Sequence, residues 1–226
     1  VKLGGRLSQR RTMFDQRMGA KKQLKTWLAE SMDSYMFTQF DSSPTRTVFG
    51  GTATSTATLV AADRFTPSLI DKAVAIARKA TPQLWPVRVN GGDWYVIIIH
   101  TDSAFDLKRD SEWREAQKDA KPRAEDNPIF TGMLGTYGGA VVHEHVNVPV
   151  STTYGTPATL AGASNMFFGR QAGLFAWGSR PQAWEKEFDY GAKLGFAIGA
   201  IWAMKKAVFS SSDNAYISVK VTRTNN

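Results

Sequence analysis

The sequence predicts an α+β fold, in which helices and strands mix without a regular βαβ rhythm. Three observations point there. Leu24, Leu28, Met32 and Met36 recur every four residues in a long segment free of proline, which is a helical stripe. "DWYVIIIH", Asp93 to His100, is a short apolar run rich in β-branched residues, which reads as a buried strand. "AYISVKV", Ala215 to Val221, alternates residue by residue and reads as a closing strand.

The first element spans Leu7 to Phe40, with Gly19 its only glycine and with Trp27, Tyr35 and Phe40 widening the stripe. The run Asp41, Ser42, Ser43 and Pro44 stops it. A helix of that extent would measure about 51 Å, against roughly 45 Å across a compact domain of this size. It is therefore expected to act as a spine. "VFGGTATSTATLVAAD", Val48 to Asp63, is small, polar and rich in Thr and Gly, so an irregular or extended connection follows.

The next helix is marked by Thr66 as N-cap and Pro67 at its first position. Leu69, Ile70, Ala73, Val74 and Ala77 share one face, and Thr81-Pro82 ends it. "NGG", Asn90 to Gly92, is the turn into the strand of Asp93 to His100. Mixed charges from Ser103 to Asp126 predict short surface helices, with Ser103 and Ser111 as caps. A glycine-spaced segment, Gly132 to Gly139, leads into the strand "VVHEHVNV". A polar Thr- and Gly-rich loop follows Pro149. "SNMFFGRQAGLFAWG", Ser164 to Gly178, is expected to be a helix closed by its glycine. "KLGFAIGAIWAMKKAVF", Lys193 to Phe209, is expected to be a long strand kinked at Gly199. No internal repeat is visible.

Composition narrows the function classes. The chain has 226 residues, 42% hydrophobic and 21% charged, values that suit a globular protein with a real core. It contains no cysteine, which excludes disulfides, thiolate metal sites and cysteine nucleophiles and fits a reducing compartment. The longest apolar run, Leu194 to Met204, falls short of the about 20 residues a spanning helix needs and is expected in the core. No signal peptide opens the chain, and a first residue of Val rather than Met reads as the trimmed or ordered part of something longer. Of the net charge of +8, +7 lies between Val1 and Thr26, where eight basic residues face Asp15 alone. Those cations sit at the helix end where the macrodipole is already positive. The cluster is either a solvated face or a surface for nucleic acid or an acidic chain.

The chemistry-bearing residues are few. In "VVHEHVNV" strand alternation puts His143 and His145 on one face and Glu144 on the other. The zinc-protease motif needs histidines four apart on a helix with a glutamate beside them, so this spacing does not match it. The third histidine, His100, ends a different strand. Gly132, Gly135, Gly138 and Gly139 lack the spacing and the Lys-Ser or Lys-Thr of a phosphate loop. Glu185 and Glu187 lie among aromatics and are expected to meet lysines or solvent. The tryptophans are scattered and read as core or interface anchors. No catalytic constellation is visible, and no cofactor or metal is expected.

Three segments in order resemble a known family: "RLSQRRTMFDQRMGAKKQLKTWLAESMD", "DWYVIIIHTDSAFDLKRDSEWREAQKDA" and "NPIFTGMLGTYGGAVVHEHVNVP". "GRQAGLFAWG" and "WEKEFDYGAKLGFAIGAIWAMKKAVF" continue the likeness. Together they resemble the major capsid proteins of tailed bacteriophages, typified by the N-four-like podophages. The resemblance implies a Hong-Kong-97-type capsid fold with a long spine helix, a peripheral domain and an axial domain. On it, residues 1–84 form the peripheral domain with the spine, 85–180 are mainly axial, and 181–226 return to the peripheral sheet and closing strand. The N-terminal arm and extended hairpin loop of that family are expected to be absent from this chain, which opens at what looks like the hairpin's end.

The resemblance implies a structural protein that is not an enzyme. Its copies would form the hexamers and pentamers of an icosahedral shell around double-stranded DNA, assembled in the host bacterial cytoplasm. Scaffold, portal and decoration proteins are further implied partners, and no membrane is involved. Arg6, Arg10, Arg11, Arg17, Lys21, Lys22 and Lys25 are the candidates for meeting DNA or a neighbouring subunit. The alternatives are a nanocompartment shell of the encapsulin type, a metal-dependent hydrolase using His143 and His145, and a basic nucleic-acid-binding module.

Overall fold

The computed structural model describes residues 1–5, 11, 13, 15–89, 91–120 and 134–224. In chain order its elements begin with α1 (Gln16–Asp41), β1 (Thr47–Phe49), α2 (Pro67–Lys79), β2 (Val87–Val89) and β3 (Gly92–Ile99). Then come α3 (Thr101–Arg109), α4 (Ser111–Ala120), β4 (Thr136–Tyr137), β5 (Ala140–Glu144), β6 (Val150–Tyr154) and β7 (Leu160–Phe168). The last are β8 (Gly173–Phe188), β9 (Lys193–Lys206), β10 (Val208–Phe209), β11 (Ser212–Asp213) and β12 (Tyr216–Thr222). They divide into two compact units, one of Val1–Met36 with Phe175–Lys205, the other of Phe37–Leu174 with Lys206–Asn226.

The larger unit is built on an eight-stranded sheet in the order β1-β12-β7-β3-β5-β4, with β2 added on β3 and β6 on β7. β12 pairs antiparallel with β7 over seven residues, Tyr216 opposite Phe168 to Thr222 opposite Gly162. β3 runs parallel to β5, so a crossover must join them, and α3 and α4 lie within it. The central strands are covered on both faces: Ile97, Ile99, Met166, Phe167, Tyr216, Ile217 and Val219 are all fully buried. α2 lies against β1 and β12. It buries Leu69, Ile70, Ala73, Val74 and Ala77, the face its spacing predicted. Thr66 sits at the N-cap with extended backbone but makes no side-chain capping bond, its Oγ1 lying 2.9 Å from Ser68 Oγ instead.

The smaller unit joins most of α1 to the β8–β9 hairpin. Here the expected helix over Ser164–Gly178 is overturned: Leu160–Phe168 is β7, a turn follows, and Gly173 opens the sixteen-residue β8. The apolar residues of Ser164–Phe168 mimic a helix stripe because both faces of β7 are buried, and pairing with β12 and β3 overrides local preference. β9 runs unbroken through Gly199. Its apolar run is not all core, since Phe196 and Met204 are buried while Ile201 is 68% exposed. Residues 1–3 add to the β9 edge, with Lys2 opposite Gly195 and with Val1 and Phe196 exchanging backbone hydrogen bonds. No helix among the described residues is long and apolar enough to cross a membrane.

α1 covers Gln16–Asp41 instead of Leu7–Phe40; the remainder of that expected helix lies largely outside the described residues. At about 1.5 Å per residue it is about 39 Å long. The Oδ1 of Asp15 starts it by accepting hydrogen bonds from the backbone N–H of Arg17 (2.9 Å) and Met18 (3.3 Å). Leu24, Leu28, Met32 and Met36 are half-buried and Phe37 and Phe40 buried, as the stripe requires, whereas Trp27 is 56% exposed. The short helices α3 and α4 form where mixed charges predicted them, but not with serine caps. Ser103 is buried inside α3, which is capped by His100; Asp110 Oδ1 caps α4 by accepting from Glu112 and Trp113 N–H at 2.9 and 3.2 Å.

Candidate functional site

The basic candidates begin with Arg6 and Arg10, which lie outside the described residues, and Arg11, which is exposed. Arg17, Lys21 and Lys25 follow at the four-residue spacing that aligns side chains along one helix face. Arg17 and Lys21 both donate to the carboxylate of Glu185 on β8. Hydrogen bonding from Lys21, then from Arg17, holds the Glu185 carboxyl below the ordinary glutamate range, with slight burial opposing. Glu185 thus meets cations as the sequence predicted, and it ties α1 to the hairpin within the smaller unit. Lys22 and Lys25 are exposed and make no ion pair among the described residues. The structure therefore separates the described cations into an internally paired part and a part that makes no ion pair among the described residues.

Asp15 and Glu185 explain how the cations tolerate the positive end of α1. One carboxylate caps the helix and the other is shared by two cations of its first turns. The Asp15 cap is readable in sequence, since an aspartate immediately before the helical pattern is a standard start signal. The pairing with Glu185 spans 168 residues and leaves no local signal.

The histidines do not converge on a ligand site. β5 ends at Glu144, so strand alternation reaches His143 but not His145, which corrects the expected strand through Val148. His143 is exposed on the strand. The ring of His145 stacks on Phe37, centroids 4.7 Å apart, and its Nδ1 accepts from Asn147 N–H at 3.1 Å. His100 is buried at the start of α3, its Nδ1 accepting from Asp102 N–H at 3.1 Å and its backbone N–H donating to Asn165 Oδ1 at 2.9 Å. Burial lowers its pKa below the ordinary histidine value; Asp102 and Glu144 oppose this and Arg223 adds to it. Among the described residues no group of three or more His, Asp or Glu could hold a metal ion. The hydrolase alternative finds no support in this geometry.

What the arrangement offers is surface. β8 is exposed along most of its length, with Trp177 and Trp184 open to solvent at 42% and 53%. Tyr35 of α1 meets Trp202 of β9 edge-on at 4.9 Å, and Trp202 in turn stacks on Phe175 at 6.0 Å.

Comparison with known proteins matches residues 42–220 to a family model described as phage capsid protein. The major capsid protein of Pseudomonas phage KPP25 is 30% identical over 164 residues, which is 70% of this chain and 43% of that protein. The chain thus spans less than half the length of that curated relative. Among solved structures, the capsid of Ralstonia phage GP4 superposes with a TM-score of 0.85 at 29% identity, covering all of this chain and 72% of the other. The capsid of cyanophage Pam1 gives 0.84 at 19% identity over all of this chain and 74% of its own. That of Helicobacter pylori bacteriophage KHP30 gives 0.76 at 17% identity over 98% of this chain and 74% of its own.

Proposed function

The chain belongs to the phage capsid protein family, and from that premise we propose that it acts as the major shell subunit of a tailed-bacteriophage virion. Its fold is the Hong-Kong-97-type capsid fold. The observation that carries the functional reading is the correspondence of the whole chain, both units included, with solved capsid subunits.

In this reading copies of the chain assemble through heterologous contacts into rings, the hexamers and pentamers of an icosahedral shell around double-stranded DNA. Residues 1–84 and 181–226 serve as the peripheral domain and 85–180 mainly as the axial domain. The order of the sequence landmarks supports placement with the N-four-like podophages. Scaffold, portal and decoration proteins, and assembly in the host cytoplasm, belong to the same reading. A subunit of this kind needs mating surfaces and no catalytic residues. Among the basic candidates, Arg11, Lys22 and Lys25 are the described ones left available for DNA or a neighbour, because Arg17 and Lys21 are engaged by Glu185.

Electron microscopy of particles containing this chain tests the reading. Closed polyhedral shells holding DNA are expected. Shells filled with protein cargo and free of DNA would replace it with the nanocompartment, and small particles with no shells from the full-length protein would end both.

A further inference from the structure

The β8–β9 hairpin has two chemically distinct faces. Strand alternation puts Glu185 and Glu187 on one face, where Glu185 meets the cations of α1. The other face of β8 carries Arg180, Trp184, Lys186 and Phe188. Close approaches identify the β9 residues that share it. A Cβ on Gly195 would come within 2.6 Å of Phe188 Cε2, and one on Gly199 within 2.9 Å of Trp184 Cζ3. These two glycines are therefore floor positions over which aromatic rings lie. Ile201, 68% exposed, and Lys205 continue the same face of β9.

The result is an apolar floor with cations at its margins. A recess of about 420 Å³ opens on it, lined by Lys2, Trp184, Lys186, Phe188 and Ala197 among others. Lys2 and Lys186 both sit over the Phe188 ring, at 4.5 and 5.5 Å from its centroid. Asp189 in the hairpin turn is taken by Lys193 at 2.7 Å. Both glutamates of β8 point the other way. The margin is thus net positive, with Lys2, Lys186 and Lys193 against Asp189, and Pro181, which has no N–H to offer, weakens β8 as an edge for strand addition.

These features select an occupant. A second copy presenting the same face would bring like charges together, which is costly at an interface. Nucleic acid favours wetter and more polar surfaces than a floor of glycine, alanine, isoleucine and aromatic rings. An apolar segment flanked by carboxylates satisfies both floor and margin, with Trp184 as the exposed aromatic anchor typical of interface hot spots. We propose that this face of the β8–β9 hairpin is a docking site for an acidic, apolar-rich segment of a partner protein. The inference rests on the hairpin alone and stands whether or not the chain forms a shell.

The test uses the full chain in monodisperse form and a fluorescein-labelled twelve-residue peptide alternating leucine and glutamate. Binding is followed by anisotropy against a leucine–serine peptide and against duplex and single-stranded DNA. The leucine–glutamate peptide should bind tightest. Lys186→Glu and Ile201→Glu, both at exposed positions, should each weaken it roughly tenfold with the circular dichroism unchanged. Equal binding of the leucine–serine peptide, or affinity untouched by both variants, overturns the proposal. DNA binding more tightly than the peptide, in a manner sensitive to Lys186→Glu, would overturn it in favour of a nucleic-acid face.

Discussion

Lys206 at the end of β9 donates its Nζ to Asp213 Oδ2 at 3.1 Å, with the two side chains only 10% and 3% exposed. The same ammonium donates to the carbonyls of Ser42 and Ser43, just past the C-terminus of α1. Asp213 in turn accepts from Thr45 N–H at 2.9 Å, and its own N–H donates to Thr45 Oγ1 at 2.8 Å. One ion pair therefore clasps the chain leaving α1 to the β10–β11 hairpin within the larger unit. It also meets the dipole of α1 with a cation at the correct end.

Breaking a buried pair on one side leaves an uncompensated charge, at a cost of about 3–5 kcal/mol. Asp213→Ala should reach that range in urea denaturation, and Lys206→Met should also destabilise. The double variant Lys206→Met with Asp213→Leu should recover part of the loss, because an apolar pair carries no desolvation penalty. Single-variant losses well under about 1 kcal/mol would mean that the pair relaxes into solvent.

The caps of the two surface helices give a second prediction. Asp110→Ala should cost about 1 kcal/mol, the usual value for losing an N-cap. Ser111→Ala should cost little, because the Asp110 carboxylate already accepts the N–H groups of Glu112 and Trp113. Thermal denaturation of the two variants side by side decides this. A larger loss for Ser111→Ala would restore the serine as the cap.

These caps also mark where local sequence stops being informative. Serine at the head of a charged segment is a fair N-cap signal, yet an aspartate lies one residue earlier and wins. His100 reads as the last residue of a strand, but β3 ends at Ile99; that the His100 ring starts α3 depends on the close succession of β3 and α3. α2, β3, β9 and β12 are legible because each is amphipathic or apolar in the period of its own backbone. β7 is not, because burial on both faces leaves its period without information. The candidate cations are visible as a cluster, whereas the pairing of Arg17 and Lys21 within it depends on Glu185, far along the chain.

His100 predicts a pH dependence. Burial holds its pKa below the ordinary 6.5, opposed by Asp102 and Glu144 and assisted by Arg223. The unfolded chain takes up the proton near about 6.5, and the folded chain does so only at lower pH. The unfolded state then binds more protons below that point. Stability should therefore fall as the pH drops from about 6.5 through the folded value, and level off beneath it. His100→Asn keeps a capping side chain and removes the titration, so its stability should vary less with pH in that window. Identical pH profiles for the two proteins would show that His100 protonates without cost to the fold.

The division of the basic cluster yields the last prediction. Glu185→Gln removes the anion that Arg17 and Lys21 share, so it should lower the melting temperature at low salt. The difference should shrink at high salt, because exposed ion pairs are screened. Lys22→Glu with Lys25→Glu should leave the melting temperature nearly unchanged, since neither lysine makes an ion pair among the described residues. If those lysines face DNA or a neighbouring subunit, the same double variant should reduce shell yield or DNA retention, while Arg17→Gln acts mainly on stability. Sedimentation of particles together with melting curves separates the two effects. Loss of melting temperature in the lysine variant with shells intact would place Lys22 and Lys25 with the internal pairs, and remove them as mating residues.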